Sequence, residues 1–396
     1  MTISQSELEV HWNMVVDPEG LSAAAAALAA GEGPVGIDAE RASGFRYGSE
    51  AYLVQVFRRG AGTFLIDPIG IADFMPLQRA IAAAEWVFHA ASQDLPCLAA
   101  IGLVPERIFD TELAARLLGY ERVGLGTIVE STLGITLEKA HSAADWSQRP
   151  LPESWLEYAA FDVALLPDLR DVIAAELDEQ EKAEFARQEF EAVRLRPEKP
   201  RAKDPWRRLS GGHVIKTPRA LAIARELWLV RDALARERDV APGRLIPDVS
   251  IVAAAVANPR SAGDLARMAT FRGRASRTEL NRWWAAILRG KTTDDLPGQK
   301  ERDPDSIPHH RGWAQRHPEA AARLEAARPA IEAEANERRI PLENLLTPDT
   351  LRRIAYRPPS DRSAEGIALR LTELGARNWQ VGITAPIIAE AFVDLA

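Results

Sequence analysis

Short apolar runs and longer amphipathic ones alternate along the first two hundred residues. Pro34–Ala39, Tyr52–Phe57, Thr63–Ile66 and Trp86–His89 are brief and bounded by Gly, Asp or charge, the signature of strands. Leu21–Ala30, Phe74–Ala84, Asp94–Ile101, Thr111–Leu118 and Ser154–Gln180 read as helices. Two of the strands flank the segment Arg58-Arg59-Gly60-Ala61-Gly62, which predicts a hairpin with a glycine-containing turn. A hairpin followed by strand–helix alternation predicts a mixed sheet with helices on its faces.

Beyond Arg194–Pro205, a basic stretch punctuated by proline, the pattern turns helical with no convincing strand. A second interruption, Gly290–His309, divides this helical half in two. The two quarters read as diverged copies. Glu237-Arg238-Asp239-Val240 corresponds to Glu337-Arg338-Arg339-Ile340, and Leu245-Ile246 to Leu345-Leu346. Each match follows a helix with Leu and Ala on one face, Leu227–Arg236 and Leu324–Ala335. A repeat of this length is too long for a solenoid unit and fits two copies of a small helical domain.

Charge sharpens the division. Residues 1–200 hold 32 Asp and Glu against 16 Lys and Arg, whereas residues 201–396 hold 25 against 33. An acidic half joined to a basic half suggests metal-charged chemistry in one and polyanion capture in the other. The Ala-rich run Ser22–Ala30 lacks both the cationic front of a signal peptide and the length of a membrane span. Cys97 is the one cysteine, so no internal disulfide can form, which fits a reducing compartment. A cytoplasmic protein with no membrane partner is expected.

The acidic half contains a set of residues that can carry chemistry. Asp38 and Glu40 are two apart at the end of a strand, so both side chains share a face. Tyr158 and Asp162 are four apart in a helical stretch and share a helix face. Asp94 opens another helix just after the strand Trp86–His89. Crowded carboxylates repel one another and call for a cation or water. Oxygen ligands without Cys or His select hard ions such as Mg²⁺ or Mn²⁺ rather than zinc. Two such ions about 4 Å apart stabilise the attacking and leaving oxygens of a phosphoryl displacement. Asp38 is the best candidate to bridge them. Glu40 and Asp162 would complete one site, and Asp94 would support the second. Tyr158, an inefficient base at neutral pH, is suited to orienting the attacking water.

The text around these acids resembles the ribonuclease D family of DEDD-type 3′→5′ exonucleases. The resemblance runs through Gly36-Ile37-Asp38-Ala39-Glu40-Arg41, Leu53-Val54-Gln55-Val56, Leu65-Ile66-Asp67-Pro68 and Phe88-His89-Ala90-Ala91-Ser92-Gln93-Asp94-Leu95. It continues through Lys139, Asp145-Trp146, Arg149-Pro150-Leu151 and Tyr158-Ala159-Ala160-Phe161-Asp162-Val163. It implies Asp38, Glu40, Asp94 and Asp162 as ligands of two divalent ions and Tyr158 as the water-orienting residue. Glu157 stands where the sister subgroup has His, which places the chain in the tyrosine subclass. Gln55, His89, Lys139, Trp146 and Arg149 become candidate substrate contacts.

The helical quarters resemble the HRDC domain, a small bundle thought to bind nucleic acid. The implied architecture is a ribonuclease H-like α/β nuclease domain (1–193), a linker (194–205), an HRDC domain (206–290), a second linker (291–309) and a diverged HRDC domain (310–396). The implied activity is removal of nucleoside 5′-monophosphates from RNA 3′ ends, such as those of tRNA precursors, by a monomer. A DNA-directed exonuclease and a non-catalytic nucleic-acid-binding protein are the alternatives. Arg272, Arg274, Arg277 and Arg282 could face phosphate, and Trp283-Trp284 is expected in the core. Gly290-Lys291-Thr292 mimics the end of a P-loop. The glycine that motif requires is replaced by Ala285, so no nucleotide-driven motor is expected.

Overall fold

In the computed structural model of the chain, residues 3–137, 144–197, 200, 202–298, 305–393 and 395 are described. The first half is built on a six-stranded sheet beside a small parallel pair, β1 (Ile3–Ser4) with β8 (Ile135–Thr136). The strands are β2 (Trp12–Val15), β3 (Glu32–Arg41), β4 (Ala51–Arg59), β5 (Gly62–Ile66), β6 (Glu85–Phe88) and β7 (Arg107–Asp110). Their order is β2-β5-β4-β3-β6-β7, with β3, β4 and β5 antiparallel and the outer pairs parallel. The expected hairpin is β4–β5. The edge strands β2 and β7 carry no clear apolar alternation and are additions to the sequence reading.

Helices α1 (Pro18–Ala30), α2 (Met75–Ile81), α3 (Leu95–Ala100), α4 (Thr111–Leu118) and α5 (Leu125–Leu133) precede a helical arm that packs on the sheet. α1 starts where physics places it: Asp17 accepts a hydrogen bond from the Gly20 amide at 2.7 Å, and Pro18 occupies the first turn. The single long helix expected over Ser154–Gln180 is two helices, α6 (Glu153–Ala164) and α7 (Leu166–Glu179). Pro167 has no N–H to continue the ladder and serves as a helix-start residue instead. α8 (Ala183–Arg194) follows.

Along β3 the period of two sorts side chains cleanly. Val35, Ile37 and Ala39 enter the main apolar core, while Gly36, Asp38 and Glu40 turn to the other face. There α6 and α7 pack on the sheet. A Cβ on Gly36 would lie 2.5 Å from the Val163 carbonyl oxygen, so only glycine lets the end of α6 come this close to β3.

The first helical unit comprises α9 (Pro218–Glu237), α10 (Pro242–Leu245), α11 (Asp248–Ala257), α12 (Ala262–Arg267), α13 (Arg274–Thr278) and α14 (Leu280–Thr292). It has its own core, which includes Leu227, Ile251, Phe271 and Trp283. Gly290, in the P-loop look-alike, lies inside α14 and packs against the Ile223 backbone of α9. The second unit comprises α15 (Trp313–Arg316), α16 (Pro318–Glu337), α17 (Leu342–Leu345), α18 (Pro348–Tyr356), α19 (Ala364–Glu373) and α20 (Asn378–Phe392). The opening elements of the two units repeat: α9 and α16 both have 20 residues, each followed by a left-handed residue, Asp239 (φ 48°) or Arg339 (φ 54°), and a four-residue helix.

Candidate active site

β3 and α6 bring three of the expected acids together. Carboxylate oxygens of Asp38, Glu40 and Asp162 all lie within 4.8 Å of one another. Tyr158, one turn before Asp162 on α6, donates a hydrogen bond to it. Asp94 begins α3, is buried at 4% exposure, and caps no backbone amide with its side chain. Its carboxylate lies 3.8 Å from the Arg41 guanidinium, which also donates to the Gln93 carbonyl at 2.6 Å.

The electrostatics are those of a site lacking positive charge. Burial pushes Glu40 up to about 10, with the charges of Asp38, Asp162 and Asp94 adding to the effect and Arg41 opposing it. Burial and the Asp38 charge carry Asp94 up to about 9. Asp38 and Asp162 are also raised, chiefly by burial. The Tyr158 phenol is held well above its ordinary range by burial and the neighbouring carboxylates, so it stays protonated and can donate. An all-oxygen donor set in this condition fits hard divalent cations, whose charge removes the repulsion.

Three residues outside the predicted set hold this geometry. Gly36 admits α6. Arg41, on the catalytic strand itself, ties β3 to the turn before α3. Asp110, at the end of β7, accepts from the amides of Ala90 (3.1 Å), Ala91 (2.9 Å), Glu112 (3.0 Å) and Leu113 (3.2 Å). It caps α4 and at the same time clamps the turn that presents Asp94, where Ala90 is left-handed. Sequence gives Asp110 only a helix-cap signal, because its second role depends on a contact across the sheet.

With this geometry in place, comparison with known proteins is informative. Residues 12–178 match the family described as 3′-5′ exonuclease, residues 220–287 the HRDC domain, and residues 306–392 the 3′ to 5′ exonuclease C-terminal domain. Ribonuclease D of Nitrobacter hamburgensis is 28% identical over 329 residues, covering 81% of this chain and 78% of that protein. Ribonuclease D of Escherichia coli K12 is 32% identical over 238 residues, covering 58% of this chain and 62% of that protein. The chain is a homologue of the bacterial ribonucleases D.

A crystal structure of a Bifidobacterium adolescentis protein shares the fold nearly end to end, with a TM-score of 0.87, 37% identity and 96% of both chains covered. The exonuclease match makes residues 12–178 a 3′→5′ exonuclease domain and, with the acidic cluster, implies use of a divalent metal. The HRDC expectation holds for the first helical unit, whereas the second matches a different, exonuclease-associated family.

The candidate substrate contacts separate in the structure. Gln55 lies directly across from Asp38 in the β3–β4 register, is fully buried, and neither side-chain atom has a hydrogen-bond partner. His89 pairs with the Thr111 hydroxyl at 2.9 Å, and burial lowers it to about 4, so it is neutral. Trp146 is fully buried against Trp155, with ring centroids 5.2 Å apart. Arg149 grips Asp67 and the carbonyls of Tyr52, Trp146 and Gln148. Trp146 and Arg149 thus anchor the segment leading into α6. Lys139 lies outside the described residues.

Proposed function

We propose that the chain is a 3′→5′ exoribonuclease that releases nucleoside 5′-monophosphates, acting on structured RNAs such as tRNA precursors with 3′ tails. The convergence of Asp38, Glu40 and Asp162 from a strand and a helix, with Tyr158 hydrogen-bonded to the last, carries this reading. Asp38, Glu40, Asp94 and Asp162 would hold two divalent ions, Mg²⁺ or Mn²⁺. When bound, these supply the charge that stabilises an in-line phosphodiester displacement. Asp38, whose charge acts on Glu40, Asp94 and Asp162 alike, would hold metal together with each of them. Tyr158 orients the attacking water through its hydroxyl, and Arg41 holds the Asp94 turn against the catalytic strand. Gln55, across from Asp38, keeps two unpartnered polar atoms and would meet the terminal nucleotide only if its side chain turned out of the fully buried position it holds.

The domain division follows the sequence boundaries: nuclease 1–193, linker 194–205, HRDC 206–290, linker 291–309 and a second, diverged HRDC-like unit 310–396. The repeated order of long helix, left-handed residue and four-residue helix supports a common origin for the two units. A cytoplasmic monomer is the simplest setting; among the described residues no helix is long and apolar enough to cross a membrane.

End-labelled RNAs test the reading. A free 3′ hydroxyl should permit stepwise release of mononucleotides with divalent metal and none with chelator, and a blocked 3′ end should protect the strand. Internal cleavage, or equal digestion of both termini, would contradict it. A matched DNA strand distinguishes an RNA-directed enzyme from a DNA-directed one, because carboxylates and metal do not sense the 2′-hydroxyl.

A further inference from the structure

The start of the second helical unit gathers positive charge. The segment before α16 brings His309, His310, Arg311, Arg316 and His317 to one end of the unit, and α18 adds Arg352 beside His310 at 3.5 Å. Arg311, Arg316 and Arg352 have no carboxylate partner among the described residues, and Arg311 and Arg316 are exposed. Among the described residues, four acids in or just before this unit are already engaged. Asp349 binds Arg353, Glu332 binds Arg328, Glu319 faces Arg323, and Asp305 has interactions of its own.

The patch also has shape. A cavity of about 290 Å³ opens between His309, Arg311, Trp313, Arg316 and His317. Two of its lining rings share a neighbour: Trp313 lies 5.2 Å from Tyr356, which meets His317 edge-on at 5.1 Å. His309 and His310 stack at 4.8 Å on its rim. Guanidinium groups without a carboxylate partner among the described residues, set around a hollow lined by Trp313 and two histidines, are the chemistry that grips a nucleic-acid backbone.

We propose that this end of the second unit is a fixed phosphate-binding anchor for the body of the RNA substrate. The proposal rests on the reading of the chain as an RNA-directed exonuclease. The geometry adds a length scale. α16 has 20 residues, so about 30 Å separates the patch from Arg338, at the helix's other end, whose carbonyl accepts from the nuclease residue Lys182.

The test compares full-length wild type with R311E/R316E, binding a 3′-tailed hairpin RNA in chelator. Affinity should fall about tenfold or more, and the dependence of log K on log salt should flatten by about one for each phosphate that the variant no longer neutralises. A control with the same charge change, R79E/R196E, reverses exposed arginines in the nuclease half and should lose far less. R311Q/R316Q, checked for an unchanged melting temperature, gives the same reading without charge reversal. Affinity within twofold of wild type, or an equal loss in the control, overturns the anchor. Turnover of a pentaribonucleotide separates the two readings. If wild type at saturating concentration with Mg²⁺ releases no nucleotide from either the pentamer or the 3′-tailed hairpin, while hairpin binding still depends on the patch, the nuclease reading falls and phosphate binding at the patch stands.

Discussion

The two helical units share an opening architecture but meet the nuclease half in opposite ways. The second is fused to it: its buried residues, among them Trp313, Ile331, Leu371 and Phe392, belong to the same apolar core as the sheet. Buried polar contacts lock the seam. Glu189 of α8 accepts from Arg377 at 2.5 Å and from the Trp379 indole at 3.0 Å, Trp379 stacks on Phe185 at 4.6 Å, and Lys182 donates to the carbonyls of Leu117 and Arg338. The first unit keeps a separate core and meets the β3–β4 loop. There Arg46 reaches Asp239 and Ser147, Tyr47 meets Asp232, and Arg244 lies over Phe45 while donating to the Gly44 carbonyl. Shared apolar burial makes one cooperative body, whereas half-exposed ion pairs make a junction that salt and motion can release. That releasable junction begins just after Asp38 and Glu40, so movement of the HRDC domain is mechanically close to the catalytic strand.

The sharpest way to break this comparison is Trp379→Ala. It should destabilise the fused body by about 3–5 kcal/mol, lowering the unfolding temperature of nuclease and second unit together in calorimetry. If the second unit unfolds alone and the nuclease transition stays put, the fusion is wrong.

Metal comes next. In chelator, Glu40 at about 10 and Asp94 at about 9 bind their protons more tightly folded than unfolded, where they titrate near 4.5 and 3.8. Their contribution to stability is therefore full below about pH 4 and is lost as pH rises toward 9–10. Divalent metal should remove this slope, adding about 2.7 kcal/mol at a hundredfold excess over its dissociation constant. Melting curves against pH with and without metal check it, and a chelated protein whose stability climbs from pH 5 to 9 would contradict it. The HRDC core, remote from these acids, should show neither effect.

Gly36→Ala probes the seat of α6. The added methyl meets the Val163 carbonyl, so about 1–3 kcal/mol of stability should be lost. Displacement of Asp162 should reduce turnover by about a hundredfold, the scale of an ångström's misplacement. Full activity in this variant would show that the close approach is not needed. Smallest of all, Arg46→Ala should change stability by less than about 1 kcal/mol. It should make protease sensitivity of the 194–217 region depend less on salt than in wild type. A large loss of stability would mean that the first unit is fused as well.

Much of this organisation is legible in the residues. The Asp38/Glu40 strand and the Tyr158/Asp162 helix face follow from periods of two and nearly four, and both sit as expected. β7 escapes because four residues beginning with Arg107 and ending with Asp110 carry too little alternation, yet its last residue clamps the Asp94 turn. The α6–α7 break looks like continuous helix because Pro167 is tolerated in a first turn as readily as it ends a helix. The difference between fused and releasable units is not visible at all. It depends on which faces meet, such as Glu189 with Trp379 across 190 residues, and composition does not encode that.

The central claim, that these carboxylates act as one metal-dependent cage at a 3′ terminus, is tested most directly by Asp38→Asn. Digestion of a 3′-tailed RNA with saturating Mg²⁺ should fall at least about a thousandfold, several kcal/mol of transition-state stabilisation, with the melting temperature in chelator unchanged or raised. Digestion at the wild-type rate by the Asn variant would contradict it.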